Sequence, residues 1–110
     1  MNKLAIIWAT AEKGIFDELI FPYAYNSRKQ NWWDEVILVI WGPSEILVAN
    51  DDSIKAKLQN LKNTGVKILA CKWCADNHKI SSNLTEIAEV IYVGQPVTHY
   101  LQNNYKVLTF

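Results

Sequence analysis

The sequence predicts an α/β domain, a parallel sheet with helices on both faces. Three observations point there. Short β-branched apolar runs recur along the chain, and they stay apolar on successive residues, which suits strands covered on both sides. Segments with helical spacing separate them. The resulting alternation of strand and helix is the pattern of a parallel sheet joined by crossovers. With 110 residues, the chain is expected to form one domain over residues 1–110. A domain of that size buries roughly two-thirds of its unfolded surface, so no disulfide or metal staple is needed.

The elements follow in order. Residues 3–9, KLAIIWA, read as the first strand. Ile15, Leu19 and Tyr23 fall four apart, as do Phe16, Ile20 and Ala24, which gives a helix face. Pro22 must kink that helix or interrupt its regular hydrogen bonding. Residues 36–41, VILVIW, read as the second strand. Residues 44–50, SEILVAN, read as a short helix with four consecutive apolar residues. Ile54, Leu58 and Leu61 form a one-sided stripe with lysines and a glutamine facing water. Asp51 and Asp52 offer N-caps for it and Gly65 suits its end. Residues 66–70, VKILA, read as the third strand. Ser81 and Ser82 are placed to cap a short helix carrying Leu84, Ile87 and Ala88. Residues 90–93 read as the fourth strand, Pro96 suits the first turn of a helix over 97–101, and residues 107–110 read as a fifth strand.

Right-handed crossovers put every strand's carboxyl end on one edge, and ligands of open α/β sheets bind outside that edge. The candidate positions are therefore few: Thr10, the stretch Trp41-Gly42-Pro43-Ser44, Cys71, and Gly94-Gln95-Pro96. Trp73 follows close behind Cys71. Trp8, Trp41 and Trp73 are placed to wall an apolar pocket there, although tryptophans at sheet ends also serve as core, the more so for Trp8 and Trp41.

Composition removes several function classes. Eleven Lys and Arg balance eleven Asp and Glu, so there is no electrostatic footprint for nucleic acid or an anionic membrane. The longest apolar run, residues 36–41, is far too short to span a bilayer. The N-terminal MNKLAIIWATAEKG imitates an export signal, but its apolar run is short and charges follow at once. A reducing cytoplasmic location is expected, where a lone cysteine pair is more often chemical or incidental than a structural disulfide.

That pair is Cys71 and Cys74, the only cysteines present. Four readings are open: a redox pair, half of a metal clip, a sulfur carrier, or two small core residues. If a helical turn starts at Cys71 or Lys72, free backbone N–H groups and the Lys72 charge favour a thiolate at Cys71. Cys74, one turn on, can face it. Zinc would need further ligands: His78 follows Cys74 by four residues, His99 is distant, and no second C-x-x-C exists. No metal and no cofactor are expected. A thioredoxin arrangement does not fit either, since its cysteine pair follows an early strand.

The ensemble KLAIIWA, EVILVIWGPSEILVAND, ILACKWCADN and VIYVGQPVTHYL resembles the DsrE/DsrF-like (YchN-like) family along essentially the whole chain. The strongest local matches are Trp41-Gly42-Pro43-Ser44 and residues 70–76. The resemblance implies a three-layer α/β/α sandwich with a five-stranded parallel sheet, assembled as a trimer or hexamer. It implies sulfur relay through a cysteine persulfide, with Cys71 as the carrier and a sulfur donor or acceptor protein as partner. Its small stand-alone branch is the nearest in form. Cys74 departs from a long-lived carrier, because a neighbouring thiolate can attack the inner sulfur of a persulfide.

The expected site therefore comprises Cys71 and Cys74, with Thr10, Trp41, Ser44, Trp73 and Gln95 as ligand-binding candidates. Thr10 and Ser44 also read as helix caps. The competing reading is a non-enzymatic homo-oligomer that binds a small ligand or protein at the same edge. Self-association is expected through residues 44–50, whose apolar side chains one core cannot cover on every side.

Overall fold

A computed structural model describes all 110 residues. Five strands, β1 (Lys3–Trp8), β2 (Glu35–Ile40), β3 (Lys67–Cys71), β4 (Glu89–Ile91) and β5 (Lys106–Thr109), form one parallel sheet in the order β4-β3-β2-β1-β5. The register sets Trp8 opposite Ile40, Ile40 opposite Ala70, and Cys71 opposite Ile91. The carboxyl ends of the strands thus share one edge.

Alternate strand residues serve two cores. Leu4, Ile6, Trp8, Val36, Leu38, Ile40, Ile68 and Ala70 pack under the larger helical layer. Ala5, Ile7, Ile37, Val39, Leu69 and Cys71 face the other way, toward Val93 and Tyr100. Burial on both faces explains why the strand sequences do not alternate. The larger layer holds a helix over residues 13–29, then α3 (Ser44–Asn50), α4 (Asp52–Asn63) and α6 (Ser81–Leu84). The thinner layer rests on α7 (Gly94–Gln102), and α5 (Lys72–Asn77) caps the edge beyond β3. This is the three-layer sandwich expected.

The helix over residues 13–29 begins as α1 (Lys13–Ile15), widens into a π-helical stretch (Phe16–Ile20), and continues as α2 (Phe21–Lys29). Pro22 stands two residues after the wide turn, in the first turn of α2. A proline has no N–H to give and its ring crowds the preceding turn, so the π stretch absorbs the irregularity without ending the helix. Phe16 from this stretch stacks on Trp8, with ring centroids 4.5 Å apart. In α4, Ile54, Leu58 and Leu61 are fully buried, and the Asp51 side chain accepts from the Ile54 N–H. Gly65, at φ +100°, takes the left-handed turn that follows.

Some boundaries differ from expectation. The third strand runs on through Cys71, and the fourth stops at Ile91, so Val93 is the N-cap of α7. Ser81 does not cap α6; its hydroxyl donates to Asp76, and Ile80 stands at the N-cap. Leu84, Ile87 and Ala88 are buried as expected, but only the first lies in the helix.

Candidate functional site

Cys71 is both the last residue of β3 and the N-cap of α5. Its extended backbone keeps the strand's alternation, so the side chain enters the thinner core beside Leu69 and Val39. It makes no capping hydrogen bond to α5. Cys74, one turn later, enters the same cluster. Exposure is only 5% for Cys71 and 8% for Cys74, and both are free thiols. The two thiols are close enough for Cys71 to act on Cys74. Burial, with help from the neighbouring thiol, pushes Cys74 up to about 11, against a smaller opposing effect of the Gly42 N–H.

The Lys72 charge expected to favour a thiolate at Cys71 has another partner. The Lys72 ammonium pairs with the Asp76 carboxylate at 2.8 Å, four residues along the same helix, and lies over the Tyr92 ring. Its charge is spent on that partner rather than on the thiols, as i, i+4 geometry favours.

The residue that sequence reasoning missed is Glu45. The chain leaves β2 through Gly42, whose φ of +76° a residue with a Cβ adopts only under strain. The Ser44 hydroxyl then donates to the Trp8 carbonyl at 2.6 Å, and the Ser44 N–H to the Ala9 carbonyl at 3.0 Å. These ties fix α3 with Glu45 inward. Glu45 is 0% exposed, and neither carboxylate oxygen has a hydrogen-bond partner. Burial pushes its carboxyl up to about 7; the Cys71 backbone N–H bears on it and lowers it, without reaching hydrogen-bond geometry. The carboxyl also acts on Cys74 through space. A buried, unpartnered acid is costly to keep. Val48 and Ala49, three and four residues on, are also buried, so the three share one inward face of α3.

The remaining candidates divide. Ser44 is fully buried and bonds the ends of β1 and β2, which makes it a structural tie. Thr10 accepts from the Glu12 N–H and starts the turn into the first helix. Trp8 is core, while Trp41, Trp73 and Tyr92 are exposed around the thiol edge. The tryptophans do not enclose a pocket on the thiols. Gln95 lines a groove of about 480 Å³ on the thinner face, with Glu35, Lys67, His99 and Tyr105, and neither thiol lines it. His78 and His99 are both exposed. No group of three or more His, Cys, Asp or Glu side chains is arranged to hold a metal ion. No helix is long and apolar enough to cross a membrane.

Comparison with known proteins places this geometry in context. A sequence model of the DsrE/DsrF-like family matches residues 32–110. Among solved structures, a conserved protein of unknown function from Bacteroides thetaiotaomicron, BT1422, is 34% identical. That match covers 99% of this chain and 95% of the other, with a TM-score of 0.94. The YchN protein from E. coli is 22% identical, with 100% of each chain covered and a TM-score of 0.77, a likeness that concerns the fold. A search of curated proteins finds no match.

Proposed function

The chain belongs to the DsrE/DsrF-like family, and from that premise we propose that it is a cytoplasmic sulfur-handling protein whose Cys71 carries sulfur as a persulfide. One observation carries the reading: two adjacent thiols at the carboxyl edge of the sheet share their surroundings with a buried carboxyl that has no partner. Clusters of perturbed ionisable groups are typical of functional sites. In the loading step the Cys71 sulfur attacks the outer sulfur of a donor persulfide, RS–SH. The donor S–S bond breaks, RSH leaves with a proton, and Cys71 becomes Cys71–S–SH. The donor is a small persulfide or a partner protein. The same pair supports thiol redox chemistry, in which its two hydrogens pass to a partner disulfide and Cys71 bonds to Cys74.

Self-association belongs to this proposal, as a trimer or hexamer. Ile46 is 42% exposed on α3, while Leu47 packs partly against the core. Ile46→Asp is therefore the cleaner probe: sedimentation should show an assembled wild type and a dissociated variant. A monomeric wild type would remove this part.

The second reading, a non-enzymatic homo-oligomer that binds a ligand or protein at this edge, is favoured by the burial of both thiols. Alkylation separates the two. Thiol chemistry predicts that the Cys74→Ser protein, which keeps Cys71, reacts with iodoacetamide faster than the Cys71→Ser protein. Binding alone predicts two equally inert thiols in the native fold.

A further inference from the structure

We propose that Glu45 is the proton acceptor for Cys74 in a step that expels sulfide from a persulfide on Cys71. The inference rests on the sulfur-transfer reading and deepens it.

The argument starts from the carboxyl itself. Glu45 is fully buried at the start of α3, with both oxygens unpartnered. No ion pair or hydrogen bond offsets the cost of burying its charged form. The titratable groups that act on it or that it acts on are Cys74 and, through its backbone N–H, Cys71. The charges on α4, which packs on α3, are directed elsewhere: Lys55 to Asp52, Lys57 to Asp17 and Lys62 to the Glu86 carbonyl. The other helix against α3, α6, carries no charged residue. No cation competes for the carboxylate.

Cys74 needs such a group. Thiolates, not thiols, attack disulfides and persulfides, and Cys74 is held neutral, near 11, by its surroundings. Lys72 cannot help, being bound to Asp76. A carboxyl near 7 is about half ionised at neutral pH, which is where a general base is most useful. In the resting dithiol the S–H···O contact is not yet made, and it forms as Cys74 turns toward the loaded Cys71.

The step balances without an external oxidant. The Cys74 sulfur attacks the inner sulfur of Cys71–S–SH. A Cys71–Cys74 disulfide forms, and the bond to the terminal sulfur breaks, its electron pair leaving with hydrosulfide. The Cys74 proton passes to Glu45 and then to hydrosulfide, giving hydrogen sulfide and an ionised Glu45. A thiol reductant of the glutathione class supplies two electrons and two protons to restore the dithiol.

The test loads the protein with cysteine persulfide, removes the donor, and follows sulfide release from mildly acidic to mildly alkaline pH. Wild type, Glu45→Gln, Glu45→Asp and Cys74→Ser are compared, each counted for bound sulfur by mass. Cys74→Ser should retain its sulfur. Wild-type release should rise with pH through about 7. Glu45→Gln should be slower by about a hundredfold at neutral pH and lack that rise, and Glu45→Asp should recover part of it. A Glu45→Gln protein that loads and releases with the wild-type rate and pH profile would overturn the proposal. A wild type that takes no sulfur on Cys71 would instead sink the sulfur-transfer reading beneath it. Should Glu45→Gln not fold, infrared spectra of the wild type decide. A buried carboxyl band that titrates near 7 and changes when the Cys71–Cys74 disulfide forms supports the role. One that titrates at 4.5 or ignores the disulfide refutes it.

Discussion

Replacing Glu45 by Gln should change how stability depends on pH, and the size of the change follows from the structure. An unfolded glutamate titrates at 4.5, while burial holds the folded carboxyl at about 7. The folded pKa is raised, so the folded state binds the proton more tightly. Stability from this group is fully present below 4.5 and is lost as pH rises toward 7, because the unfolded chain ionises first. At roughly 1.4 kcal/mol per pH unit, the interval amounts to about 3 kcal/mol. Gln has no such titration. Relative to Glu45→Gln, the wild type should therefore weaken by about 3 kcal/mol between acid and neutral pH. Urea unfolding at several pH values measures this, as a divergence of midpoints of about 1–3 M. Other carboxylates, such as Asp51 and Asp76 with their lysine partners, are common to both proteins and cancel in the difference. Parallel midpoint curves across that range would show that the carboxyl is solvated or paired, and the reasoning would fail.

Three further outcomes are expected. Leu58→Ala, at a fully buried position, should cost about 2–5 kcal/mol in urea unfolding; a loss well under that would contradict its place in the core. Asp51→Ala removes the cap on Ile54 and the ion pair to Lys13, and should lower the melting temperature. The wild-type Asp51 is held below the usual carboxylate range, chiefly by Lys13, so its contribution should fade as pH drops into the acid range, and the two melting curves should converge there. Gly42→Ala should cost about 1–2 kcal/mol, even though an added Cβ meets nothing within 4 Å, because the penalty lies in the backbone at φ +76°; an unchanged melting temperature would refute a fixed turn there.

The sheet was legible because its strands are apolar on both faces and the stripe Ile54, Leu58, Leu61 marks a helix laid over it. The carboxyl edge followed from crossover handedness, which is why Cys71 was found. What local pattern does not show is how a short element is rotated. A glutamate in the first turn of a helix normally reads as a solvated residue that complements the dipole. Only the Gly42 turn and the Ser44 bond to Trp8 turn Glu45 inward. Long-range ties of that kind leave no periodic signal. The charge near Cys71 was misjudged for a related reason: Lys72 has Asp76 on its own helix face, a nearer claimant than the thiols. Gln95 shares the edge in topology, yet it faces the groove over the thinner layer.

Whether Cys71 accepts sulfur is the point on which the functional account turns. The most direct measurement incubates reduced wild type, Cys71→Ser and Cys74→Ser with cysteine persulfide, then maps added sulfur by mass spectrometry after blocking with iodoacetamide. The account predicts one extra sulfur atom on Cys71 in Cys74→Ser and none on Cys71→Ser. It predicts for the wild type either the same modified Cys71 or its product, a Cys71–Cys74 disulfide with released sulfide. Sulfur carried by Cys74 alone, or no sulfur and no disulfide in any of the three proteins, would contradict it.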